Sequence, residues 1–241
     1  MTRSTDFSDP ARRIIVALDV SGREELLQLI RTLRGTVGMF KVGKQLFTAL
    51  GPEALALIKK EGGEVFLDLK FHDIPNTVAG AVRAACRHGV AMLTVHASGG
   101  RAMLEAAVQA AREMVSAPLV IGATVLTSLG AQDLELIGLA GPPEQAVLRL
   151  GGLAIEAGLD GLVASARELT ALRAEFGKQP FLVTPGIRPK GAAAHDQQRV
   201  ATPLKAVSDG ADFLVIGRPI TRADDPLAAV EAIVDELVEA E

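Results

Sequence analysis

Short apolar runs punctuated by helical stretches organise this chain. Eight runs stand out: Ile14 to Leu18, Met39 to Val42, Val65 to Leu69, Met92 to Val95, Leu119 to Val125, Gly161 to Ala164, Phe181 to Thr184 and Phe213 to Ile216. They do not alternate polar with apolar, which is the pattern of parallel strands buried on both faces. Between them the apolar spacing becomes helical. After Ser21, for example, Leu26, Leu29, Ile30 and Leu33 fall on one helical face.

The junctions repeat as well. A helical pattern stops at a glycine and a strand-like run follows within a few residues, at Gly62-Gly63, Gly89, Gly158 and Gly210. Glycine ends a helix in the left-handed region without a Cβ penalty. Helix starts are predicted at Ser21-x-x-Glu24 and Ser165-x-x-Glu168, which match the capping box, and at Thr202-Pro203, an N-cap followed by proline at the first helical position.

Eight strands alternating with helices predict a (β/α)8 TIM barrel. An open doubly wound sheet is the alternative, but the Gly-x-Gly-x-x-Gly expected after the first strand is missing. No linker or charge block divides the 241 residues, so 1–241 reads as one barrel domain with an uncommitted, flexible polar start from Met1 to Asp9.

Composition narrows the function. Twenty-five Lys plus Arg against 29 Asp plus Glu leave a net charge of −4 with no long basic block, which argues against nucleic acid as a partner. There is no Tyr or Trp, so recognition must rest on backbone, charge and small polar groups. The single cysteine, Cys86, cannot make an intrachain disulfide or by itself a cysteine-based zinc site. No apolar stretch has the length and purity of a membrane span or signal core. A soluble cytoplasmic protein is expected.

In a barrel the chemistry sits where the strands end, so the polar residues closing each run are the informative ones. The first run ends at Asp19 and the second carries Lys41. The third ends Asp68-Leu69-Lys70, with Asp73 three residues on; the fourth ends at His96, the fifth leads to Thr127, and the eighth ends Gly217-Arg218. Asp68 and Lys70, two apart on a strand, are expected to share the inward side, with Leu69 facing out. Each lysine favours the ionised carboxylates and each carboxylate the charged lysine. A self-satisfied ion pair is the bland alternative, but four such groups at a barrel mouth are a poor route to stability.

A second constellation is Thr184-Pro-Gly-Ile-Arg-Pro189 together with Gly217-Arg218. Loops after strands seven and eight of barrels commonly bind phosphate, where backbone N–H groups and an arginine fork suit an oxyanion. The polar stretch from Pro189 to Thr202 is long enough to close over a ligand. His72, His88, His96 and His195 show no metal-ligand spacing, so a catalytic metal is not expected. His88 reads as a helix C-terminal cap, Cys86 as core, and His96 as either lining or core.

The segments Asp68-Leu-Lys-Phe-His-Asp-Ile-Pro-Asn-Thr77, Val183-Thr-Pro-Gly-Ile-Arg-Pro189, Asp196-Gln-Gln-Arg199 and Val215-Ile-Gly-Arg-Pro-Ile220 together closely resemble the bacterial orotidine 5′-monophosphate decarboxylase family. The resemblance runs from Asp19 to Arg218. It implies cofactor-free and metal-free conversion of orotidine 5′-monophosphate (OMP) to uridine 5′-monophosphate (UMP) and carbon dioxide, the last step of de novo UMP synthesis. By motif position it implies a catalytic network of Lys41, Asp68, Lys70 and Asp73, with Lys70 protonating C6. It further implies Asp19 at the ribose, Thr127 and Ser128 at the pyrimidine, and Arg188, Gln197, Gly217 and Arg218 at the phosphate. It also implies a homodimer in which Asp73 and Thr77 complete the partner's site. Some members have a tyrosine in the phosphate loop; this chain has none, leaving more of that grip to Gln197 and Arg218.

Two other readings stand beside this one. A sugar-phosphate decarboxylase or aldolase on a related barrel would share the Asp-x-Lys strand end but need a divalent metal. A non-catalytic nucleotide-binding or assembly barrel would have no use for the intact Lys41, Asp68, Lys70 and Asp73 set.

Overall fold

The computed structural model describes residues 9–139, 141–189 and 201–238. Eight strands form: β1 (Ile14–Ala17), β2 (Met39–Gly43), β3 (Val65–Phe71), β4 (Met92–His96), β5 (Leu119–Ala123), β6 (Gly161–Val163), β7 (Phe181–Pro185) and β8 (Phe213–Ile216). Each pairs in parallel with its neighbours, and β8 pairs with β1 to close the barrel. This is the (β/α)8 TIM barrel that the eight runs predict. The fifth run overshoots: β5 stops at Ala123, and Thr124 turns its hydroxyl to the Val163 carbonyl at 2.8 Å.

Two apolar layers hold the barrel. Alternate strand residues such as Ile15, Phe66, Met92, Ile121, Val183 and Phe213 point inward and fill its centre. The residues between them, among them Val16, Val42, Leu67, Leu93 and Leu214, pack outward against the helices. That division explains why both faces of each strand are apolar. Gly161 marks a tight point in the interior, where an added Cβ would lie 2.3 Å from the Phe181 carbonyl oxygen.

The helix ends match the sequence better than the helix starts. Gly62, Gly89, Gly158 and Gly210 all have positive φ, and His88 is the C-cap of the helix Pro75–Arg87. Cys86 is buried. Thr202 caps the helix Pro203–Ser208, accepting from the Lys205 N–H at 3.2 Å. The two serine capping boxes do not form. The first helix starts one residue later than expected, at Arg23 with Gly22 as N-cap, because the Ser21 hydroxyl is drawn to the barrel rim by the Gln45 amide, 3.0 Å away. Ser165 does bond Glu168, but within a buried turn that precedes the helix Leu169–Phe176.

Asp9, expected to be uncommitted, caps a 3₁₀ turn at Pro10–Arg13 by accepting from the Ala11 N–H. The rest of the polar start, residues 1–8, lies outside the described residues. No helix among the described residues is long and apolar enough to cross a membrane.

Candidate functional site

The strand ends open into a cavity of about 610 Å³. Asp19 reaches it from the turn after β1, Lys41 from β2, and Asp68 and Lys70 from β3; Thr127 and Ser128 enter from the loop after β5, Arg188 from beyond β7, and Gly217 and Arg218 from the end of β8. Nine of the sequence-predicted site residues therefore meet in one place. Asp73 and Thr77 do not: both lie exposed outside the cavity, flanking Ile74, whose side chain is 68% exposed. Gln197, with His195 and most of the polar stretch around them, falls outside the described residues. That stretch is tied at its base, where the Arg188 N–H donates to the Ala201 carbonyl at 2.9 Å.

The charges alternate around the rim. Lys70 Nζ donates to Asp68 Oδ1 at 2.7 Å, Lys41 Nζ stands 3.6 Å from Asp68 Oδ2, and it lies 3.8 Å from Asp19 Oδ1. Asp68 is the hub. Burial alone would raise its carboxyl pKa; the Lys41 charge, then that of Lys70, with hydrogen bonds from Lys70 and Thr94, outweigh burial and hold it below the usual value. Gly43 leaves room for this, since a Cβ there would come within 3.0 Å of Lys41 Nζ.

Asp68, Lys70 and Leu69 take the expected sides, with Leu69 packed in the outer layer, but not on a regular strand. Leu67 pairs with Leu93 and Phe71 with Val95, so four steps along β3 answer two along β4. The surplus is taken up in a bulge. Lys70 sits in it at φ +54°, alone among the described non-glycine residues in having positive φ, a conformation that costs about 1–3 kcal/mol.

Thr94, fully buried on β4, faces this bulge. Its Oγ1 accepts from the Lys70 backbone N–H at 2.9 Å and donates to Asp68 Oδ1 at 3.0 Å. Sequence reasoning passed over Thr94 as part of an apolar run. The available signal was that it is the polar member of Met92-Leu-Thr-Val, two residues from Met92 and so on the barrel side. Arg222 and Gln45 also line the cavity unpredicted; Arg222 follows Arg218 by four residues, one helical turn.

Across the cavity the charge is of one sign. Arg188 is 8% exposed; its Nη1 donates to the Ile187 carbonyl at 2.8 Å, while its buried Nε has no hydrogen-bond partner among the described residues. Burial and then the neighbouring Arg218 charge lower its pKa. A buried cation beside a second cation is an arrangement suited to an anion.

His96, at the end of β4, is not a cavity-lining group. Its ring lies 5.3 Å from that of His72, and burial, with the charges of His72, Lys70 and Lys44, lowers its pKa, Asp68 opposing. Among the described residues no three His, Cys, Asp or Glu side chains gather as a metal site would require.

Known proteins resemble this chain over most of its length. Residues 12–233 match the model of the orotidine 5′-phosphate decarboxylase / HUMPS family. An orotidine 5′-phosphate decarboxylase of Halorhodospira halophila is 54% identical over 95% of this chain and 97% of its own, and that of Syntrophotalea carbinolica is 51% identical over 95% and 96%. The crystal structure of orotidine 5′-phosphate decarboxylase from Lactobacillus acidophilus superposes with a TM-score of 0.84 at 36% identity, covering 94% of this chain and 99% of that one. A closed barrel with an Asp-x-Lys bulge at its mouth, matched over nearly its full length, thus belongs to the orotidine 5′-phosphate decarboxylase / HUMPS family.

Proposed function

We propose that the chain converts OMP to UMP and carbon dioxide without metal or cofactor, as the last step of de novo UMP synthesis in the cytoplasm. The observation that carries this reading is the polarity of one cavity: an alternating Lys–Asp network on one side and a pair of arginines, one with an unpartnered buried donor, on the other. A nucleotide monophosphate has matching ends, a reacting ring and a remote dianion. The names carried by the relatives point the same way.

In this reading the C6–carboxylate bond breaks heterolytically and its electron pair stays on C6, with no cofactor to delocalise it. The protein must then supply stabilisation of the order enzymes achieve, about 8–23 kcal/mol. The Lys70 ammonium, fixed by Asp68, stabilises the developing charge and donates its proton to C6, becoming a neutral amine that solvent reprotonates. Lys41 keeps Asp68 ionised, and Asp68 in turn repels the substrate carboxylate. Asp19 holds the ribose, Thr127 and Ser128 the pyrimidine, and Arg188, Gly217 and Arg218 the phosphate, with Gln197 reaching it from the stretch beyond Pro189. Phosphate binding offsets the repulsion.

Asp73 and Thr77, exposed beside Ile74, serve the site of a second copy in a homodimer. Mixing an inactive Lys70→Ala protein with an inactive Asp73→Ala protein tests this: restored turnover requires one intact site per mixed dimer, and none would place Asp73 elsewhere.

The reaction itself is tested by following OMP ultraviolet absorbance with purified protein in excess EDTA. Turnover is the expected result. Inertness toward OMP, with magnesium-dependent activity on a sugar phosphate, would replace the reading by the metal-dependent one.

A further inference from the structure

We infer that Thr94 is a positioning residue for this chemistry: from beneath the β3 bulge its single hydroxyl sets both the Lys70 backbone and the Asp68 carboxylate, and through them the Lys70 ammonium. The inference rests on the decarboxylase reading.

A bulge frees backbone groups from the sheet ladder, and buried backbone donors need partners. Here the freed donor is the Lys70 N–H, left facing β4 by the residue's left-handed conformation, and it finds Thr94 Oγ1 at 2.9 Å. The same hydroxyl donates its proton to Asp68 Oδ1 at 3.0 Å, since the ionised carboxylate can only accept. That oxygen also takes the Lys70 ammonium at 2.7 Å, while Oδ2 is left to Lys41 at 3.6 Å.

The carboxylate is therefore oriented from below by a group that does not itself line the cavity. One side chain on a rigid neighbouring strand fixes where the chain leaves the β conformation and which oxygen each lysine meets. Thr94 touches no ligand, so it acts only through its two partners.

The test is steady-state kinetics on Thr94→Val and Thr94→Ser, with wild-type turnover of OMP established first; an inert wild type would remove the decarboxylase reading before any variant is made. Valine keeps the shape and removes the hydroxyl. For Thr94→Val, kcat and kcat/KM are expected to fall together by about 10- to 100-fold with KM unchanged, the mark of an interaction felt in the transition state. The acid limb of the pH profile should move to higher pH, because Asp68 loses a hydrogen bond that favours its charged form while facing the same Lys41 and Lys70. Thr94→Ser should recover to within about threefold of wild type, since the hydroxyl is what matters.

Wild-type kcat in the valine variant would overturn the inference. So would a loss that serine does not rescue, or one that leaves the acid limb in place, since either signals packing alone. Should the valine protein fail to fold, Thr94→Cys, with its weak thiol donor, carries the same expectations.

Discussion

The barrel holds a charged cluster at each end, and the two are completed differently. Where the strands begin, Arg173 turns its guanidinium onto backbone: Nε and Nη2 donate to the Gly210 carbonyl, and Nη1 to those of Gly177 and Pro180. Nη2 also meets Asp212 Oδ2 at 2.5 Å, and that oxygen takes the Leu182 N–H at 2.7 Å. Every contact ties helix, loop and strand together. Where the strands end, Lys41 stands beyond hydrogen-bond reach of both carboxylates it faces, and Arg188 keeps a buried Nε unpartnered among the described residues. One cluster is closed by folding; the other keeps polar groups turned toward the cavity, and in the proposed reading these meet the substrate. In that reading the first belongs to stability and the second to function, a division that barrels show generally between their two faces.

The largest effect should come from breaking the mouth. Lys70→Ala is expected to lower turnover by at least about 10³-fold, roughly 4 kcal/mol of transition-state stabilisation, by removing proton donor and countercharge together. Because the ammonium faces the cavity, the melting temperature should stay within a few degrees. Residual activity above about a tenth of wild type would end the proton-donor role.

Arg173→Ala reverses the pattern. It leaves Asp212 with the Leu182 N–H but no cation and removes the donor from three carbonyls, and a loss of about 3 kcal/mol in urea unfolding is expected, with kcat of the folded protein retained. Lost turnover at unchanged stability would erase the distinction between the ends.

Local sequence carries one end of this contrast better than the other. Asp19, Lys41, Asp68, Lys70 and Arg218 were legible because a barrel gathers polar strand ends at one mouth, and the strands because burial on both faces writes continuous apolar runs. The bulge at Lys70 and the role of Thr94 were not. Both depend on the register between β3 and β4, a relation between residues 24 and 26 positions apart that no local spacing encodes. The helix starts at Ser21 and Ser165 failed for a similar reason, since a rim amide and a buried turn outcompeted the cap. Asp73 and Thr77 share the motif of Lys70, yet proximity in sequence did not bring them to its cavity.

Arg218→Ala separates binding from chemistry within the mouth. Losing a charge-assisted contact to phosphate should raise the apparent KM by about 10- to 100-fold, near 2 kcal/mol, with a smaller change in kcat. An unchanged KM would take Arg218 out of phosphate binding and leave Arg188 as the anion's main partner.

The smallest effect is expected away from both ends, at the Arg23–Glu53 pair that bridges two outer helices at 2.9 Å. Its geometry is as good as that of the Arg173 cluster, but each side chain is about half exposed, so water solvates either ion once its partner is gone. Arg23→Ala should therefore shift urea unfolding by no more than about 0.5 kcal/mol. A loss as large as that of Arg173→Ala would mean that an exposed ion pair can match the Arg173 cluster, and that solvent exposure does not separate the two. A negligible loss would leave the structural role with the more enclosed Arg173 cluster, its Asp212 pair and its carbonyls together.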